Sequence, residues 1–137
     1  MKEAELIFKK FGHHYPSGTV LFQEGQPCAG MFIIQKGRVR LFKTIGAKEF
    51  TIDLLGPGDF FGELACLVDQ PRAINAVVEE DSDLLLIESE VITHLFRENT
   101  GMGLKVLTNL ASRLRKAYEI IEGLIEEVDQ LRERRSG

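Results

Sequence analysis

Cysteine and histidine are scarce in this 137-residue chain, which has two of the first and three of the second. Cys28 and Cys66 are too few for a disulfide scaffold or an iron–sulfur cluster, and they stand in no CxxC spacing. Cys66 falls in the apolar part of a short helix and is expected as a buried free thiol, which fits a reducing compartment. His13 and His14 are adjacent and would face opposite sides of an extended segment, while His94 falls on a helix. No H-x-H pair is available to start a metal site. Excess positive charge is also missing: 17 Lys and Arg stand against 21 Asp and Glu, a formal net charge of −4. That balance argues against a dedicated nucleic-acid binder, whose phosphate partners require a basic face. Long apolar runs are absent too, as is the apolar core of a signal peptide, so neither a membrane span nor export is read and cytoplasm is the expected location. No nucleophile–base arrangement, internal repeat or low-complexity segment is visible.

What the chain does contain is a change of period. Leu6, Ile7, Lys9, Lys10 and Phe11 fit a short amphipathic helix within residues 2–11, broken by His13-His14-Tyr15-Pro16. From Thr19 to Ser89, short runs of period two alternate with glycine-containing turns. Lys36-Gly37 and Ile45-Gly46-Ala47 read as hairpin turns, and Gly56-Pro57-Gly58-Asp59 as a tighter corner. Phe50, Ile52 and Leu54 alternate onto one face, expected to point into the interior of a barrel. Many short strands with regular turns imply a sandwich or closed barrel. Helical periodicity returns at Ser89, read as an N-cap, and runs to about Arg97. Asn99-Thr100-Gly101 interrupts it before a long helix from about Met102 to near Arg134.

The segment richest in chemistry is Gly62-Glu63-Leu64-Ala65, followed after a spacer by Pro71-Arg72-Ala73. It reads as a turn entering a very short helix, then a return loop that delivers one arginine. Unpaired N–H groups at a helix start, with the helix dipole, favour an anionic oxygen. Arg72 adds a planar, permanently charged fork suited to phosphate. Glu63 does not fit a phosphate by charge, but a carboxylate beside a phosphate ester can accept hydrogen bonds from a sugar hydroxyl. Taken alone, a Glu and an Arg at this spacing are more often an exposed ion pair of small energetic weight.

The order of residues around the pair resembles the cyclic-nucleotide-binding domain family, the sensor module of catabolite-activator-type regulators and of kinase regulatory subunits. Gly18-Thr19-Val20-Leu21-Phe22-Gln23-Glu24-Gly25 is similar to the family's opening strand, and Met31 to Leu41 to its first hairpin. Gly56-Pro57-Gly58-Asp59-Phe60-Phe61-Gly62-Glu63-Leu64-Ala65 resembles the entry to its phosphate-binding cassette, and Pro71-Arg72-Ala73 its close. The resemblance implies a mainly β fold with flanking helices: a jelly-roll-like β-barrel with a short N-terminal helix and a long C-terminal one. It implies Glu63 on the ribose 2′-hydroxyl, Arg72 on the cyclic phosphate, and Gly62, Leu64 and the backbone N–H groups of Ala65 and Ala73 completing the cradle. Ile52 is implied as a wall of the base pocket. Two departures stand out. Ile74 replaces a small residue, and Ala73 lacks the hydroxyl that accompanies cyclic GMP binding, which favours cyclic AMP. The resemblance implies a cyclic nucleotide as the ligand, with no cofactor or metal required.

Along the long helix, Leu107, Leu114, Ile121 and Val128 occupy heptad position a, and Leu110, Ala117, Leu124 and Leu131 position d. Nearly four heptads describe a coiled coil, and β-branched residues at a with Leu at d favour a parallel pair in its second half. Glu127 at g and Arg132 at the following e would meet across such a pair. A homodimer through this helix is therefore expected. Tyr118, bordering the seam, could stack on a purine or pack at the barrel mouth.

The organisation read is one domain over 1–137. The N-terminal helix and linker take 1–17, the barrel 18–89 with its cassette at 61–74, and the C-terminal helices 90–137. No helix-turn-helix follows the long helix, so direct DNA binding is not expected. The function implied is a cyclic-nucleotide-binding regulatory module, not an enzyme, that signals through its last helix to a partner the sequence does not name. The competing readings are the sensor half of a longer transcription regulator, an interaction domain with a degenerate pocket, and a cupin-like metalloenzyme.

Overall fold

The computed structural model describes residues 9–10, 12–62, 65–66 and 68–136. Of the expected N-terminal helix, only Lys9 and Lys10 fall among them, and both are helical. Six strands follow: β1 (Gly12–Tyr15), β2 (Val20–Phe22), β3 (Gly30–Ile45), β4 (Lys48–Leu55), β5 (Phe60–Phe61) and β6 (Asn75–Glu88). Two helices complete the described chain, α1 (Ser89–Glu98) and α2 (Thr100–Ser136). The chain divides into two units, residues 1–98 and 99–137.

In the first unit all strand pairing is antiparallel, in the order β1-β6-β3-β4, with β2 also on β6 and β5 also on β3. Among the described residues this path does not close on itself, so of the sandwich or closed barrel read from the strand pattern, the closed form is not what they make. β3 and β6 form its spine. Their inward residues Ile34, Val39, Leu41, Ala76 and Leu84 join Phe22, Phe32, Leu55 and Phe61 in one buried cluster. Phe32 and Phe61 stack at 5.1 Å between centroids. Burial of these large apolar side chains is the main favourable contribution to folding, about 1.5–3 kcal/mol each.

Three expectations are corrected here. The stretch 1–17, read as helix and linker, holds a strand: His13-His14-Tyr15 follows the helical Lys9 and Lys10 and forms most of β1, which pairs with β6 from Gly12 opposite Leu85 to Tyr15 opposite Ser82. Lys36-Gly37 is a set of bulges inside one continuous strand and not a hairpin turn. Gly37 has φ 101°, and a Cβ there would lie 2.1 Å from Ser82 Oγ, the same oxygen that accepts the Arg38 N–H at 3.1 Å. Only glycine allows both the dihedral and the close approach. Phe50, Ile52 and Leu54 do not point inward: they are 47%, 58% and 53% exposed. β4 is the last strand of the sheet path, and all three are exposed on it; Leu54 sits opposite Arg40 and Ile52 at a bulge between the paired Thr51 and Asp53, while only Phe50 lies beyond Phe42, where β6 stops pairing with β3.

The remaining turns follow the sequence. Gly46 and Ala47 connect the last paired residues of the β3–β4 hairpin, Ile45 and Lys48. Gly56-Pro57-Gly58-Asp59 closes with Asp59 N–H donating to Gly56 O at 3.1 Å and Gly58 at φ 91°, the geometry of a type II turn. Its residues also exchange backbone bonds with Ile34 at 2.8 and 3.0 Å, which fixes the approach to β5.

The second unit is one helix. Asn99 caps it, its Oδ1 accepting the Met102 N–H at 3.1 Å, so the helix starts slightly earlier than the sequence pattern places it. The expected a and d residues Leu107, Leu114, Ile121, Leu124, Val128 and Leu131 are all exposed, as is Tyr118.

Candidate functional site

The site is assembled where β5 ends and the return loop meets the opening strand. Gly62 follows β5 at φ 83°, a conformation that frees its carbonyl to turn toward Arg72. Arg72 itself is held by its backbone: its N–H donates to Gln26 O at 2.8 Å, and its carbonyl accepts the Gly25 N–H at 2.9 Å. The side chain is 5% exposed. Nη1 donates to Gly62 O at 2.6 Å, Nη2 donates to Gly30 O at 2.8 Å, and the guanidinium carbon lies 4.0 Å from the Phe22 ring centroid. A buried charge is tolerated only when hydrogen-bonded, and here two carbonyls and an aromatic face take that role. A cavity of about 240 Å³ borders Arg72, with Tyr15, Phe22, Phe32 and Leu86 among its walls.

The loop leaving the site is fixed by a polar cluster. Asn75 and Glu24 form a reciprocal pair, Glu24 N–H donating to Asn75 Oδ1 at 2.9 Å and Asn75 Nδ2 donating to Glu24 Oε2 at 2.9 Å. Lys43 Nζ donates to the Ala73 carbonyl at 3.0 Å and lies 2.8 Å from Glu24 Oε1. The hydrogen bond from Lys43 holds the Glu24 carboxyl below its ordinary value, against a smaller opposing effect of desolvation. Ile74 is half-buried and packs against the core cluster.

The sequence-expected residues fare unequally. Gly62 and Arg72 are brought into direct contact. Ala65 is helical and buried beside them in the chain, and Ala73 is exposed at the close of the loop. Glu63 and Leu64 lie outside the described residues. Ile52 is on the exposed β3–β4 edge, and Tyr118 is exposed on α2 in the second unit. Sequence reasoning missed the roles of Phe22 and Gly30. Phe22 lay in a quoted strand with no role given, and nothing in local spacing marks Gly30 as an acceptor for a residue 42 positions away.

The cysteines are also corrected. Cys28 and Cys66 form a disulfide, with Cα atoms 5.3 Å apart, and neither is a free thiol. The two stand 38 positions apart in sequence, a tertiary pairing invisible to spacing rules. Among the described residues no group of three or more His, Cys, Asp or Glu side chains could hold a metal ion. No helix among them is long and apolar enough to cross a membrane.

Comparison with known proteins places this geometry. Residues 12–99 match the model of the cyclic nucleotide-binding domain. The cyclic AMP receptor protein of Thermus thermophilus is 36% identical over 118 residues, covering 85% of this chain and 55% of that protein. A cAMP-dependent protein kinase regulatory subunit of Pyricularia oryzae is 31% identical over 117 residues, covering 85% of this chain and 27% of that protein. Among solved structures, the Thermus thermophilus catabolite activator protein superimposes with a TM-score of 0.77 at 35% identity, covering 89% of this chain and 58% of that one. The chain thus spans about half, or less, of the length of these relatives.

Proposed function

Because this chain belongs to the cyclic nucleotide-binding domain family, we propose that it binds cyclic AMP in the cassette and passes the binding event to α2. The observation that carries the reading is Arg72: a permanently charged fork, 5% exposed, sits at the close of the expected cassette. Charge of that kind is not buried beside an aromatic ring for packing alone. In this reading Arg72 pairs with the cyclic phosphate, Glu63 accepts from the ribose 2′-hydroxyl, and backbone N–H groups of Ala65 and Ala73 complete the anion cradle. Gly62 and Leu64 belong to the same proposed set of ligand-binding residues. The missing hydroxyl at Ala73 favours cyclic AMP over cyclic GMP. Ile52 and Tyr118, both exposed in the single chain, are the apolar and aromatic surfaces proposed to meet the purine.

The exposed heptad stripe of α2 supports a second element of the proposal, a parallel homodimer through that helix. Apolar side chains arrayed at a and d along one helix gain their burial from a facing copy. Ligand capture by the cassette would then shift the helix pair, and the pair is the signal-bearing part.

One observation favours a different reading, an interaction domain that binds no nucleotide. The fork of Arg72 already donates to two carbonyls, and the bordering cavity of about 240 Å³ is below the roughly 300–1,000 Å³ usual for small-molecule sites. A thermal-shift panel separates the two. A ligand that binds only the folded form adds about 2.7 kcal/mol at a hundredfold excess over its dissociation constant. Cyclic AMP is expected to raise the melting temperature most, cyclic GMP less, and linear AMP and cyclic dinucleotides least. No shift with any of the four would favour the interaction domain.

A further inference from the structure

The disulfide and the guanidinium of Arg72 join the same two stretches of backbone. Arg72 Nη2 holds the carbonyl of Gly30, two residues after Cys28, and Nη1 holds the carbonyl of Gly62, four residues before Cys66. The covalent link therefore runs parallel to the hydrogen-bonded one and closes a loop of sequence separation 38. A bond that closes such a loop removes conformational freedom from any state in which the two stretches move apart. With the link in place, Arg72 meets both carbonyls. A ligand phosphate must compete for the fork against those two acceptors.

The bond is also reachable. Cys28 and Cys66 are each only partly buried, and both line a surface cavity of about 330 Å³ with Gly25, Ala65, Gln70 and Pro71. That hollow is large enough to admit a small thiolate, the attacking species in disulfide exchange.

We propose that Cys28–Cys66 is a redox latch on the cassette: closed, it holds Arg72 on the backbone carbonyls, and open, it releases the fork to a phosphate. Opening consumes two molecules of a low-molecular-weight thiol. The first, as thiolate, attacks one cysteine sulfur, breaking the S–S bond, forming a mixed disulfide and expelling the other cysteine as a thiolate that takes up a proton. The second thiol attacks the mixed disulfide, frees the remaining cysteine, and leaves as the small-molecule disulfide. The protein gains two electrons and two protons, and the two small thiols lose them. Closure is the reverse exchange, with a low-molecular-weight disulfide as oxidant.

The latch rests on the reading of Arg72 as the phosphate contact, and its test separates the two ideas. The full chain is prepared reduced and oxidised, and the state of each sample is verified by alkylation under denaturing conditions and mass spectrometry. Cyclic AMP is titrated calorimetrically into both forms and into Cys28→Ser. The reduced form is expected to bind about tenfold more tightly than the oxidised one, the scale of freeing a charged group from one hydrogen bond. Cys28→Ser is expected to bind like the reduced form whatever the redox treatment. Equal affinity in both redox forms overturns the latch and leaves the phosphate reading intact. Two alkylated cysteines after treatment with the small disulfide also overturn the latch. No binding in any form overturns both.

Discussion

The β3–β6 spine and α2 spend their apolar residues in opposite ways. In the sheet, Ile34, Val39, Phe61, Ala76 and Leu84 are all 1% exposed or less. Along α2, Leu107, Leu114, Ile121, Leu124, Val128 and Leu131 are 47–63% exposed. The sheet completes its core within one chain. The helix presents a stripe whose repeat is legible and whose side chains are exposed. The contrast teaches that the first unit can supply folding stability from its own core, whereas the apolar repeat of the second is what the proposed homodimer would bury. The same holds on a smaller scale within the sheet, where the β3–β4 edge leaves Phe50, Ile52 and Leu54 uncovered.

The largest effect that sharpens this comparison lies in the sheet's buried cluster. Phe61→Ala, at a position with no exposure, is expected to cost about 3–5 kcal/mol in denaturant unfolding. Leu124→Asp on α2 gives the opposite pattern. The unfolding of the sheet unit should move by no more than about 0.5 kcal/mol, the range of surface substitutions. Sedimentation, however, should change from a dimer to a monomer. An unaltered sedimentation coefficient would break the coiled-coil half of the comparison.

The smallest effect concerns pH. The Glu24 carboxyl, held below its ordinary value by Lys43, binds fewer protons in the folded chain than in the unfolded one at mildly acid pH. Its stabilising contribution is thus complete above the ordinary glutamate value, about 4.3, and is lost as pH falls below it through the depressed folded value. Glu24→Gln should lower the melting temperature near neutral pH and flatten its fall in acid. A parallel acid limb in wild type and variant would remove Glu24 from the account.

Much of the fold was legible because its signals are local. Gly46 and Gly58 sit at turns that need positive φ, and the heptads of α2 need only a period. The start of α1 at Ser89 follows the same local signal. What failed depended on distant chain. Gly37 reads as a turn until Ser82 is known to lie against it across β3 and β6. Gly12–Tyr15 reads only as the end of a helix because its strand character comes from pairing with β6. Phe50, Ile52 and Leu54 have the alternation of buried residues, but they lie on β4, the last strand of the sheet path, and are exposed there. At the site, the charge and position of Arg72 were legible, whereas its acceptors at Gly30 and Gly62, its contact with Phe22 and the Cys28–Cys66 bond were not. Each of these joins segments far apart in sequence.

The phosphate contact is tested most directly by calorimetric titration of cyclic AMP into wild type and Arg72→Lys. Lysine keeps the charge but not the planar fork, so the expected result is saturable binding by wild type and a loss of at least about tenfold in the variant. Equal affinities would contradict the assignment of Arg72 to the phosphate.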